Sequence, residues 1–250
     1  MVATVCLRLA FGMIAAILVV DPGPIPPRFF RIQYLASLGL LAVAAFFLFE
    51  QLVQPGLLLL LFMLAGVLCL VGSIAWHIEN AGSRTLDVAT AVALGVALAM
   101  LGPITSTLTE KIIRYGDQFL SAAVIGTSVA AMLLGHSYLI SPAMTIVPLQ
   151  RMLIGLWVTL ALRVTLACWG LWFWTAEHPI GNLEAETLLW LIARWALGIL
   201  APLMLGWMAW ETARIRSTQS ATGILYVVVI VTFLGELTSL LLLEKTGYPL

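Results

Sequence analysis

Eight runs of about twenty mostly apolar residues follow one another along this chain, at 2–20, 32–50, 54–77, 88–108, 118–140, 149–175, 187–213 and 221–243, with short connections between them. At 1.5 Å per residue, a helix of that length crosses about 30 Å of hydrocarbon. Lipid offers no partner to backbone N–H and C=O groups, so only helices and closed barrels can span it. These runs are about twice the length of a membrane β-strand. The pattern predicts an all-α polytopic membrane bundle of about eight transmembrane helices, one integral membrane domain over 1–250.

Composition narrows the function classes. Twelve Lys and Arg balance twelve Asp and Glu, and only 10% of the residues are charged, against 62% hydrophobic. A soluble domain carries about a quarter charged residues, so a water-soluble globule is excluded. Disorder and nucleic-acid binding are excluded on the same ground. Cys6, Cys69 and Cys168 each stand alone in an apolar run. That spacing fits neither a disulfide framework, nor covalent haem attachment, nor a cysteine-ligated cluster. HExxH, Walker and GxGxxG patterns are missing, as is a Ser-His-Asp grouping. No catalytic residue and no metal site are therefore assigned.

The connections DPGPIPPRFFR (21–31), ENAGSRT (79–85), EKIIRYGD (110–117), SPAMTIVP (141–148), EHPIGNLEAE (177–186) and RSTQS (216–220) read as loops. None is long enough to fold as a domain, so soluble chemistry would have to come from other protein subunits. The first run has no preceding Lys or Arg and no Ala-x-Ala site, which predicts a retained helix rather than a cleaved signal. Arg28, Arg31, Arg84, Arg151, Arg214 and Arg216 fall on one side of the bilayer, and Arg8, Lys111, Arg114 and Lys245 on the other. The positive-inside rule then predicts both termini outside, in a bacterial-type inner membrane. Gly102-Pro103 and Pro202 mark two kinks.

Helices in lipid associate through small residues and interhelical hydrogen bonds. Stripes of that kind run through Gly66, Cys69, Ser73 and His77; Ala91, Gly95, Ala99 and Gly102; Ser121, Ser128, Met132 and His136; Thr159, Arg163, Ala167 and Gly170; Arg194, Gly198 and Ala201; and Thr232, Glu236 and Ser239. The first two runs are bulky and apolar, which predicts a peripheral position facing lipid or another subunit. The aromatic cluster Trp169, Trp172, Phe173 and Trp174 predicts an interfacial belt.

Charges retained inside hydrocarbon are costly and persist when paired, hydrated or functional. Glu236, Arg163 and Arg194 fall at similar depth, predicting an ion pair of Glu236 with one arginine and a role as a proton or ion-pair relay. One carboxylate cannot neutralise two guanidiniums, so the second arginine needs carbonyls, water or an anion. Arg8 is expected to snorkel to the interface. His77 and His136 end helices that run the same way, so both reach one membrane face. Two such imidazoles could ligate a haem b, or one could hydrogen-bond a quinone carbonyl. Gly135 would let a flat ligand or a neighbouring helix approach His136. His178 reads as a solvated loop histidine.

The closing stretch GELTSLLLLEKTGYPL (235–250) resembles the last helix of the eight-helix quinone-binding anchor subunits of polysulfide and dimethyl sulfoxide reductases. It covers sixteen residues, and no residue role is carried over from it. The resulting expectation is an integral membrane subunit of a redox complex that binds quinone or haem b and works with other subunits. A structural or assembly subunit, and a small-solute or ion transporter, are the alternatives.

Overall fold

The computed structural model describes residues 1–53, 56–78, 84–102, 107–141, 144–177 and 185–247. Among these there is no strand. The elements are α1 (Val2–Ile17), α2 (Pro27–Phe47), the single turn α3 (Phe49–Leu52), α4 (Leu57–His77), α5 (Arg84–Met100), α6 (Leu108–Ile140), α7 (Val147–Glu177), α8 (Ala185–Trp195), a π-helical turn (Ala196–Leu200), α9 (Ala201–Arg214) and α10 (Thr218–Thr246). Six helices are long and apolar enough to cross a membrane, with α8, the π turn and α9 counting as one. This differs from the expected eight because α1 and α5 have 16 and 17 residues, or about 24 and 26 Å.

α6 is the axis of the bundle. It packs against α1, α7 and α10; α1 also meets α2 and α5, α4 meets α2 and α5, and α10 meets α8 and α9. The contacts are made through glycine, as expected where lipid supplies no hydrophobic drive between helices. A Cβ on Gly12 of α1 would lie 1.8 Å from the Ala122 carbonyl oxygen of α6, and one on Gly126 would lie 2.0 Å from Gly12. A second crossing pairs Gly235 of α10 with Gly198 of the π turn. Gly135 faces Thr222 and Leu225 of α10, so it admits a helix and not a flat ligand.

Several expectations are corrected. The first run is not peripheral: Leu7, Ala10, Ile14 and Ile17 are fully buried. Its bulky residues fill the seam beside Gly12, whose small size admits α6. α2 does keep a lipid-facing side, with Phe46 and Phe47 exposed. EKIIRYGD is not a loop. α6 begins at Leu108, where the Thr107 hydroxyl accepts from the Glu110 N–H at 3.3 Å, half of a Thr-x-x-Glu capping box. PPRFFR opens α2 with Pro27 in the first helical turn, where the missing N–H costs nothing. The kink expected at Pro202 is the π turn just before it. Proline has no N–H for the carbonyl four residues back, and the wider turn absorbs the break. Pro103 and His178 lie outside the described residues.

The turn between α9 and α10 closes with paired Schellman hydrogen bonds. Ser217 N–H donates to Thr212 O at 3.0 Å and Arg216 N–H to Ala213 O at 3.0 Å. Arg216 takes the left-handed conformation this motif requires, at φ 57°.

Chain direction gives the bundle two ends. One, the termini face, gathers the start of α1, the end of α5, the start of α6 and the end of α10. There Lys245 at the end of α10 bonds Glu186 at the start of α8 at 2.9 Å. The opposite, histidine face gathers the starts of α2 and α5 and the ends of α1, α4 and α6. Arg84 ties these elements by donating to the carbonyls of Ile17, Leu18 and Val20 at 3.2, 3.0 and 2.6 Å. Ile17 and its cap Leu18 end α1, where carbonyls lack intrahelical partners, and Val20 lies just beyond. Arg151 pairs with Asp21 on the same face.

Candidate functional site

Two groups of polar residues stand out, one at each half of the bundle. The first is a buried ion cluster spread over five helices. Glu236 of α10 is wholly buried and takes three partners: Arg8 of α1 through Oε1, and Ser121 of α6 and Arg163 of α7 through Oε2, the last at 3.0 Å. The Arg8 guanidinium also donates to Ser121 at 3.3 Å. Asp117 of α6 accepts from Arg194 of α8 at 3.3 Å and lies 3.9 Å from Arg163 Nε. All five charged side chains are at most 4% exposed.

Of the two arginines expected as its partner, Glu236 takes Arg163, while Arg194 turns to Asp117. Arg8 does not snorkel; burial of α1 brings it onto Glu236. Sequence reasoning missed Asp117 because it read 110–117 as loop. The Thr-x-x-Glu pattern at 107–110 is the signal that would have extended the helix and placed Asp117 one turn before Ser121. Along the α6–α10 seam, about two turns past Ser121 and one turn before Glu236, Ser128 and Thr232 share a hydrogen bond at 3.1 Å.

The second group is a pocket of about 490 Å³ on the histidine face. Its floor includes Phe29, Trp76 and Leu133, and its rim Arg28, Arg31, His77, His136, Ser137 and Ser141. The structure therefore brings His77 and His136 to one cavity, on the ends of α4 and α6. Both are exposed at its rim rather than set in the bundle. Neither arginine was anticipated here, because 21–31 was read as loop; the extra turns of α2 carry both to the rim.

Arg31 Nη1 stands 3.1 Å from His77 Nδ1. Guanidinium only donates, so Nδ1 accepts and the ring proton sits on Nε2. A histidine in that tautomer offers an N–H, which suits a carbonyl or other oxygen acceptor.

Below the pocket, Tyr34 of α2 donates to Asp87 of α5 at 2.6 Å, both buried. The tyrosine ring lies flat on Gly72 of α4, where a Cβ would come within 2.2 Å of it. Trp76, one turn on, stacks on Phe30 with centroids 4.1 Å apart. This network fixes α2, α4 and α5 beneath the pocket.

The ion cluster and the histidine pocket do not meet. Ser121 and His136 are fifteen residues apart on one helix, about 22 Å by helical rise. Buried Val124, Ala131 and Leu134 of α6 with Leu225 and Val228 of α10 lie between. The expected sites are thus two separate regions. Trp169, Trp172 and Phe173 are exposed on α7 while Trp174 is buried. Among the described residues no group of His, Cys, Asp and Glu could hold a metal ion. No family model matches the sequence, and no curated protein or solved structure matches it either.

Proposed function

We propose that this chain is an integral membrane subunit of a redox-type complex that binds a quinone-like amphiphile in the histidine pocket. The observation that carries the reading is the pocket itself. It has an apolar floor for a ring and tail, and its rim groups two guanidiniums and two imidazoles. Its volume lies in the range of small-molecule sites, about 300–1,000 Å³. His77 Nε2–H would donate to one carbonyl oxygen. Arg28 and Arg31 would favour negative charge developing there, and His136 would take or give the accompanying proton. Quinone is preferred to haem b because of the His77 tautomer. Electrons would pass to another protein subunit.

In this reading the chain crosses the bilayer eight times, with α1 and α5 as short crossings. The arginine-rich histidine face lies in the cytoplasm and both termini outside, in a bacterial-type inner membrane. Glu236, Arg163 and Arg194 clamp the bundle; a relay through them would need a path of its own, since dry apolar side chains separate them from the pocket.

The test uses purified protein in lipid nanodiscs and a short-chain ubiquinone analogue. Saturable quenching of tryptophan fluorescence is expected, lost in Trp76→Phe and weakened in His77→Ala. Absence of saturable quenching in the unaltered protein overturns the reading. A haem band in a reduced-minus-oxidised spectrum would overturn the choice of quinone over haem. If His136→Ala alters only yield and never quinol-dependent turnover, the structural-subunit alternative takes its place.

A further inference from the structure

The ion cluster carries more positive than negative charge. Three guanidiniums, Arg8, Arg163 and Arg194, meet two carboxylates, Asp117 and Glu236, so its formal charge with both acids ionised is 3 − 2 = +1. Arginine does not relieve this by deprotonating. The hydrogen-bond count leans the same way. Arg8 Nε, Arg163 Nε and Arg194 Nη1 are buried donors with no acceptor among the described residues, against one unmatched acceptor in the same place, Gln118 Oε1. Surplus charge and surplus donors both call for an acceptor that carries negative charge, because an uncompensated buried charge is strongly disfavoured.

Access exists from one side. A cavity of about 390 Å³ opens on the termini face and reaches Arg8, Asp117 and Gln118. Arg8 and Gln118 are each 3% exposed. At its mouth Arg114 and Glu244 offset each other. Asp117, also on the wall, is held by Arg194 and Arg163. Gln118 is fixed by donating its amide N–H to Leu98 O at 2.8 Å, and its own oxygen is buried without a donor.

We propose that this vestibule binds a small monovalent inorganic anion of the chloride class, seated against the Arg8 guanidinium. One such charge brings the cluster to formal neutrality and gives the Arg8 guanidinium, the one cluster arginine on the cavity wall, a further counter-charge. The inference does not depend on the histidine pocket and stands or falls separately from the quinone reading.

The experiment follows thermal unfolding of the full chain in nanodiscs of neutral lipid, with sodium chloride exchanged for sodium gluconate at constant ionic strength. Chloride is expected to raise the melting temperature saturably, and bromide to substitute for it. Gluconate, an organic carboxylate outside the proposed inorganic class, is the comparison anion. Gln118→Glu places a carboxylate on the wall of the same cavity, so its melting temperature should no longer respond to chloride. Asp117→Asn removes the opposing charge and should lower the half-saturating chloride concentration by about tenfold or more. Equal melting curves in chloride and gluconate for the unaltered protein overturn the proposal. So does a Gln118→Glu variant that keeps the full chloride response. Should Asp117→Asn fail to fold, the unaltered protein and Gln118→Glu still decide the matter.

Discussion

The ion cluster and the histidine pocket hold nearly all the polar chemistry of this bundle, yet they obey opposite rules. In the cluster every charged side chain is buried among helices from both ends of the chain, with Arg8 and Asp117 reaching the termini-face cavity, and each guanidinium is committed to a carboxylate. In the pocket the arginines and histidines stand at the rim, where water screens them, and only Arg31 with His77 forms a described contact. Removing a partner from the cluster leaves a charge stranded at low dielectric. Removing a side chain from the rim leaves a gap that water fills. Polar residues of the cluster tie five helices together, whereas at the pocket rim Arg31 with His77 is the one described tie between helices among the arginines and histidines.

Four substitutions probe that division. Glu236→Gln should destabilise most, by about 3–5 kcal/mol, because Arg8 and Arg163 lose their shared counter-charge; unfolding in mild detergent measures it. A loss under about 1 kcal/mol, the range of an exposed ion pair, would make the cluster as wet as the pocket. Tyr34→Phe, in the layer between the two regions, strips the buried Asp87 of a donor and should cost about 1–3 kcal/mol. Arg216→Gly should stabilise by about 1 kcal/mol, since glycine enters the left-handed position of the Schellman turn without a Cβ penalty. His136→Ala should change stability by no more than about 0.5 kcal/mol, as an exposed site away from the packing allows, while weakening binding of the quinone analogue. A large destabilisation there would erase the contrast and move His136 into the scaffold.

Apolar periodicity made the membrane, the helical class and most helix centres legible, because hydrocarbon leaves the backbone few choices. It was weaker at the ends. PPRFFR reads as a helix breaker, yet proline is welcome in a first turn. EKIIRYGD reads as a polar loop, yet a cap at Thr107 makes it helix. Those two misreadings hid Arg28, Arg31 and Asp117, three residues that define the candidate sites. That Glu236 pairs with a buried arginine could be read from matched depth, though not which of Arg163 and Arg194 it takes. Arg8 could not, since its place depends on which helices flank α1.

The sequence alone settled that lipid is the solvent, that the chain is helical, and that Glu236, Arg163 and Arg194 need partners, because the cost of polar groups in hydrocarbon depends on composition along the chain. Tertiary structure alone decided that α1 is central, that Asp117 and Arg8 complete the cluster, and that the histidines share a pocket far from it. Neighbours in a bundle are chosen by contacts such as Gly12 on Gly126 and Gly235 on Gly198. There the fit of two surfaces matters and no single run of residues contains it.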